Sequence, residues 1–283
     1  MKPYILFLHI FFFACTTPSF DIMIQNGQIA DGSGGELFKA NIYIRDGKII
    51  MVGHLKRAMA TETIDATGLV TAPGFIDMHT HSELKSLQFP VVENYLQQGV
   101  TTMVGGNCGS SPLPMSTFMA DTEAKGIGPN LALLVGHNTV RRKVMGTENR
   151  LATEAELKAM QTLIQTAMDD GAFGLSTGLK YIPGAYSNTD EVVALASTVS
   201  KNRGFYATHM REEGIGLLES VDEAINIGRE AKLPVQISHH KAVGKSMWGK
   251  SVKTLEKIEN ARAEGIEVVA DQYPYTATST TLT

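Results

Sequence analysis

Two cysteines in 283 residues, Cys15 and Cys108, are too few for a disulfide framework. Charge of one sign does not accumulate either. With 25 Lys and Arg against 29 Asp and Glu the net charge is -4, and no Lys/Arg run offers a basic surface to nucleic acid. Long hydrophobic runs are also missing: the apolar stretch at 4–14 is too short to span a bilayer. What is there is an ordinary globular balance, 43% hydrophobic and 19% charged, in a chain long enough for a sizeable core. The 27 glycines suit many tight strand-to-helix turns.

The N-terminus reads as a leader. Lys2 precedes the apolar run, and Phe12-Phe13-Ala14-Cys15 is a loose lipoprotein box in which Cys15 becomes the lipidated residue. Residues 1–19 are therefore expected to be a signal peptide of lipoprotein type, or an ordinary cleaved signal with an incidental cysteine. Either places the protein in the periplasm or cell envelope, and the first allows membrane anchoring. Residues 20–72 are expected to form a small β domain of sandwich type. Its strands are 21–25, 41–45 and 48–52, with Asn26-Gly27 and Asp46-Gly47 as hairpin turns. His54 is expected at the surface.

From Pro73 the pattern becomes apolar strand, polar loop, helix. Strands are expected at 75–78, 101–104, 131–135, 173–176, 205–208, 235–238 and 267–270. Helices are expected at 155–169, 190–201 with Thr189 as N-cap, 217–232 and 251–263. About seven successive βα units point to an α/β fold, a TIM-like (β/α)8 barrel left incomplete. An open doubly wound sheet would show a Gly-rich phosphate turn after its first strand. Here that place holds His79-Thr80-His81, whose i, i+2 spacing on a strand directs two imidazoles to one metal ion.

Six of the eight histidines, all but His9 and His54, fall at expected strand C-termini, where barrel enzymes build their sites. Asn107-Cys108-Gly109 follows the second strand, His137 the third, Tyr181 the fourth, His209 the fifth, His239-His240-Lys241 the sixth and Asp271 the seventh. His239 and His240 are adjacent, so on a strand only one of them faces the barrel interior.

These stretches resemble the N-acyl-D-amino-acid deacylase (D-aminoacylase) family of the amidohydrolase superfamily over residues 20–283. The resemblance is carried by GFIDMHTHSE at 74–83, GVTTMVGGNCGSSP at 99–112, LLVGHNTVRRKVMG at 133–146 and GAFGLSTGLKYIPGAYSNTDE at 171–191. ATHMREEG at 207–214, PVQISHHKAVGKSMWGK at 234–250 and ADQYPYTATST at 270–280 complete it. It implies a zinc site of Cys108, His209 and His239, and a second, weaker metal position at His79 and His81. His239 is preferred to His240 because relatives often carry leucine at the latter position. Tyr181 and Lys241 are implied on the substrate side, each with a core or solvated role as the alternative. His137 is taken as an outer or substrate-side group.

The implied reaction is hydrolysis of an N-acyl-D-amino acid to a D-amino acid and a carboxylate. Zinc would activate water, and an aspartate at the end of an eighth strand would carry the proton. That strand lies beyond Thr283. Asp77 is expected to point away from the histidine pair, and Asp271 sits on the wrong strand to replace the aspartate. The chain is therefore expected to be the N-terminal portion of a longer enzyme, inactive and poorly soluble alone. The alternatives are a non-catalytic or truncated envelope lipoprotein that keeps the metal site, and a related D-amino-acid amidase or dipeptidase.

Overall fold

The structure is a computed structural model that describes residues 17–280. Cys15 and all but residues 17–19 of the expected leader fall outside the described residues. The chain folds as two compact units that divide after Pro73.

The N-terminal unit holds seven strands in two sheets: β1 (Ser19–Gln25), β2 (Gln28–Ile29), β3 (Phe38–Lys39), β4 (Asn41–Arg45), β5 (Lys48–Gly53), β6 (Met59–Asp65) and β7 (Val70–Thr71). One sheet runs β5-β4-β1-β6 and the other β3-β2-β7. Asp46 and Gly47 both have positive φ and join β4 to β5 as a two-residue hairpin. The Asn26-Gly27 expectation is corrected. The chain does turn there, with Asn26 at φ 66°. However, β1 pairs with β4 and β6, while β2 goes to the other sheet. Turn chemistry marks where a chain reverses, not which strand it then pairs with. His54 is exposed, with Nε2 3.2 Å from the Lys39 carbonyl oxygen.

The C-terminal unit is a seven-stranded parallel sheet in strict chain order: β8 (Phe75–Asp77), β9 (Val100–Gly105), β10 (Asn130–Gly136), β11 (Gly174–Gly178), β12 (Phe205–His209), β13 (Val235–Ile237) and β14 (Val268–Ala270). Each strand pairs with the next in parallel. This is the α/β incomplete TIM-like barrel expected from the spacing. Helices fill the crossovers: α1 (Glu83–Ser86), α2 (Glu93–Leu96), α3 (Met115–Lys125), α4 (His137–Met145), α5 (Glu154–Asp169), α6 (Thr189–Ser200), α7 (Leu217–Ala231) and α8 (Ser251–Ala263).

The main core lies where the helices meet the sheet. On α7 the buried Leu217, Val221, Ala224, Ile225 and Ile227 share it with Val235 and Ile237 of β13. Burying each large aliphatic side chain contributes about 1.5–3 kcal/mol. Gly228 lets α7 lie close, since a Cβ there would stand 2.3 Å from Val235 Cγ2. A capping box fixes the start of α5: Thr153 accepts from the Glu156 N–H, and Glu156 reaches back. The N-cap of α6 is Asn188, not Thr189. Asn188 Oδ1 accepts from the Glu191 N–H at 3.0 Å, and Thr189 is already helical. The two outer strands each pair on one side only, leaving Phe75 and Ile76 of β8 and Val269 of β14 exposed.

Candidate metal centre

The C-terminal ends of the strands converge on a cavity of roughly 1070 Å³. Its lining includes His79, His81, Cys108, His209, His239 and Lys241.

Cys108 is the hub. Its Sγ lies 3.5 Å from His79 Nε2, 3.7 Å from His239 Nε2 and 3.8 Å from His209 Nδ1. His79 Nε2 in turn lies 3.3 Å from His81 Nε2. Two sets of three ligand atoms result: His79, His81 and Cys108, and Cys108, His209 and His239. The separations suit one ion per set. Zinc–sulfur and zinc–nitrogen bonds of about 2.3 and 2.0–2.1 Å at a tetrahedral angle put sulfur and nitrogen about 3.6 Å apart, and two nitrogens about 3.3 Å apart.

The backbone that delivers these groups is irregular. After β9 the chain turns through Gly106 (φ 75°), Cys108 (φ 52°) and Gly109 (φ 79°). A Cβ at Gly106 would sit 2.2 Å from the Leu134 carbonyl oxygen, and one at Gly109 would sit 2.1 Å from Asn138 Oδ1. Asn107 donates from Nδ2 to the Val104 carbonyl at 2.8 Å, closing the turn. A non-glycine residue in the left-handed region is uncommon and is held by its surroundings. His239 is a second such residue, at φ 38°. Its N–H donates to Asp271 Oδ1 at 2.6 Å.

Burial dominates the electrostatics at His209, His81 and Cys108. Burial, with a contribution from His239, pushes the His209 pKa down to about 3. Burial and the neighbouring His79 and His239 also lower His81. Burial pushes the Cys108 thiol up to about 12, and Asp271 and Glu213 push it the same way. A cation among these atoms reverses the last effect and stabilises the thiolate. The donor set of sulfur plus imidazole is a zinc set.

Carboxylates stand behind the histidines. Glu213 Oε1 lies 2.8 Å from His239 Nδ1 and accepts from Lys241 Nζ at 2.6 Å. Burial alone would raise the Glu213 pKa, but the hydrogen bonds from His239 and Lys241 hold it down at about 2. Asp271 Oδ1 lies 3.3 Å from His79 Nδ1, and Oδ2 accepts from Gln236 Nε2 at 2.6 Å. Glu213 carries no sequence signal for this role. It is one of two adjacent glutamates on a loop, with no spacing to single it out.

The remaining sequence candidates are placed as follows. His79 and His81 lie beyond β8 rather than on it, and their rings still converge. Asp77 is corrected: it lines the cavity instead of pointing away, because residues two apart on a strand share a face, and it accepts the His79 N–H at 3.0 Å. Tyr181 lines the cavity with its ring centroid 4.5 Å from that of His209. His240 turns away, its Nε2 lying 2.8 Å from Thr254 Oγ1 of α8. His137 is corrected. It opens α4, is fully buried, and bonds Glu191 Oε1 of α6 at 2.8 Å instead of facing the cavity. Lys180, beside Tyr181 on the loop after β11, pairs with Glu212 at 3.3 Å.

A parallel barrel wall with thiol and imidazoles at its strand ends defines a metal-binding class of site. The amidohydrolase family profile matches residues 62–280, and the chain belongs to the amidohydrolase family. It is 38% identical to a D-aminoacylase of Alcaligenes xylosoxydans xylosoxydans over 93% of this chain and 59% of that one. The crystal structure of N-acyl-D-glutamate deacylase from Bordetella bronchiseptica, complexed with zinc and a phosphonate inhibitor, superposes with a TM-score of 0.87 at 36% identity. That match covers 91% of this chain and 59% of the other. A D-aminoacylase structure superposes with a TM-score of 0.86 at 37% identity, over 90% of this chain and 59% of that one. Its binuclear metal center is described by one-metal activation and second-metal attenuation. The chain thus spans somewhat under two thirds of the length of these relatives.

Proposed function

We propose that the chain forms the metal-binding part of a zinc-dependent N-acyl-D-amino-acid deacylase, which hydrolyses the amide to a D-amino acid and a carboxylate. The observation that carries this is the convergence of Cys108, His209 and His239 at zinc-ligand separations in an open strand-end cavity. Cys108, His209 and His239 would hold the principal ion, and His79, His81 and Cys108 a second one. When bound, zinc supplies Lewis-acid polarisation of an amide carbonyl and acidification of water.

The chain's own groups supply binding and orientation. Lys241 projects a cation into the cavity to meet the substrate carboxylate, and Tyr181 offers a flat wall beside His209. Asp271 is occupied by Gln236 and the His239 N–H, so it is poorly placed to move protons. In this reading the proton carrier is the strand-eight aspartate that the family resemblance implies, and the 283 residues are the N-terminal portion of the enzyme. The share of the relatives that is spanned and the unpaired edges of β8 and β14 support this reading. The 283-residue chain alone is expected to show no deacylase turnover and poor solubility. Lipid anchoring at Cys15 in the cell envelope belongs to the same proposal. Cys15→Ala should move the protein from the membrane to the soluble fraction, and an unchanged distribution removes the anchor.

The test of function is a panel of N-acetyl-D- and N-acetyl-L-amino acids given to the full-length, zinc-loaded protein. Hydrolysis confined to D-substrates and lost in Cys108→Ala is expected. Turnover of L-substrates alone, or none at all, contradicts the proposal. The panel also separates neutral from acidic D-side chains.

A further inference from the structure

Three of the rings around Cys108 are backed differently. His209 presents Nδ1 to the sulfur, and its buried Nε2 has no hydrogen-bond partner. His79 has Asp271 behind it at 3.3 Å. His239 presents Nε2 to the sulfur and has the buried Glu213 at 2.8 Å on Nδ1. The same Glu213 oxygen accepts Lys241 Nζ at 2.6 Å, and Lys241 Nζ lies 2.7 Å from His239 Nδ1.

We propose that Glu213 is the positioning residue of this site, orienting His239 toward the Cys108 metal position and Lys241 toward the substrate. The inference rests on the metal reading above. A metal at His239 Nε2 needs the lone pair there, so the ring proton belongs on Nδ1. Glu213 is the acceptor that Nδ1–H meets. An ammonium is a donor only, so Lys241 cannot also bond that N–H. Its remaining protons are then directed into the cavity. His239 sits in a left-handed turn, where strand geometry does not fix its ring, so a side-chain partner must. One carboxylate thus places a metal ligand and a substrate cation together.

The test is a cobalt(II) titration of the full-length protein, read by the thiolate charge-transfer absorption, with KM and metal-free melting temperature measured in parallel. Glu213→Ala should weaken cobalt binding by about 10–100-fold. Glu213→Gln keeps an oxygen acceptor for His239 but loses the charge that holds Lys241. It should recover cobalt affinity to within about threefold while KM stays raised by about tenfold or more. A merely structural role would leave this split absent, whatever the change in metal-free melting temperature. Cobalt affinity of Glu213→Ala within twofold of wild type overturns the proposal. If that variant is insoluble, wild-type KM in Glu213→Gln overturns it. Wild-type protein that takes up no cobalt removes the metal reading itself, and this inference with it.

Discussion

His79, just past the first barrel strand, and Asp271, just past the seventh, face each other at 3.3 Å between Nδ1 and Oδ1. Their strands, β8 and β14, do not pair. The two edges of the open sheet therefore meet through side chains at the site and not through the backbone ladder. Asp271 also accepts the His239 N–H and one Gln236 N–H. Burial would raise its pKa, and His79, with the Gln236 and His239 hydrogen bonds, holds it below the usual carboxylate range. Asp271→Ala should destabilise the protein by about 1–3 kcal/mol by stranding those donors. It should also weaken metal binding, because His239 loses its backbone anchor. Urea denaturation with a metal titration measures both.

Metal uptake should release one proton near pH 7.5. The Cys108 thiol, pushed up to about 12, must ionise on binding, whereas His209, lowered to about 3, is already neutral. Apparent affinity should then rise about tenfold per pH unit between 7 and 8. Calorimetry in buffers of different ionisation enthalpy counts the protons. A count of zero contradicts thiolate ligation.

The metal-free protein should lose stability in mild acid. The pKa of His209 is depressed in the folded chain, so the unfolded chain takes up a proton as pH falls below about 6.5 while the folded chain does not until near 3. The Glu213 carboxylate contributes stability that is fully present above its ordinary value of 4.5 and is lost as pH falls toward about 2. A melting temperature lower at pH 5 than at pH 7 is expected. An equal or higher value contradicts the burial of neutral His209.

Glu191 holds both His137 and Arg141, each fully buried. Burial would raise its pKa, and the hydrogen bonds from His137 and the Arg141 guanidinium keep it low. Glu191→Ala leaves Arg141 buried and unpaired at this position, which should cost about 3–5 kcal/mol. None of the three lines the cavity. Cobalt affinity of the folded variant should therefore match wild type, while its denaturation midpoint falls.

Gly109→Ala should abolish tight metal binding. Its φ of 79° strains any side chain, and the new Cβ would meet Asn138 Oδ1 at 2.1 Å and Gly178 N at 2.7 Å. The loss of stability should exceed about 1 kcal/mol. The turn that carries Cys108 must also shift, which a cobalt spectrum reports.

The barrel strands were legible because buried parallel strands read as short apolar runs and their turns as glycine and polar residues. The convergence of His79, His81, Cys108, His209 and His239 followed from strand-end placement, with the pairing of particular residues supplied by the family resemblance. His137 shows the limit of that rule. It follows β10 as directly as His209 ends β12, yet it begins α4, whose first turn swings the ring to Glu191. The expectation for Asp77 misapplied strand alternation: two residues before His79, it belongs on the same side as the histidine pair, which is where it lies. Glu213 was invisible for a different reason. Its partners, His239 and Lys241, lie far along the chain, and no local pattern encodes a contact made by tertiary folding.

The central claim is that Cys108 is a thiolate ligand at the heart of this amidohydrolase site. X-ray absorption at the zinc edge of the full-length, zinc-loaded protein tests it most directly. One sulfur at about 2.3 Å with nitrogens at about 2.0–2.1 Å is expected, and the sulfur should vanish in Cys108→Ala. A shell of nitrogen and oxygen alone in the wild-type protein contradicts the claim.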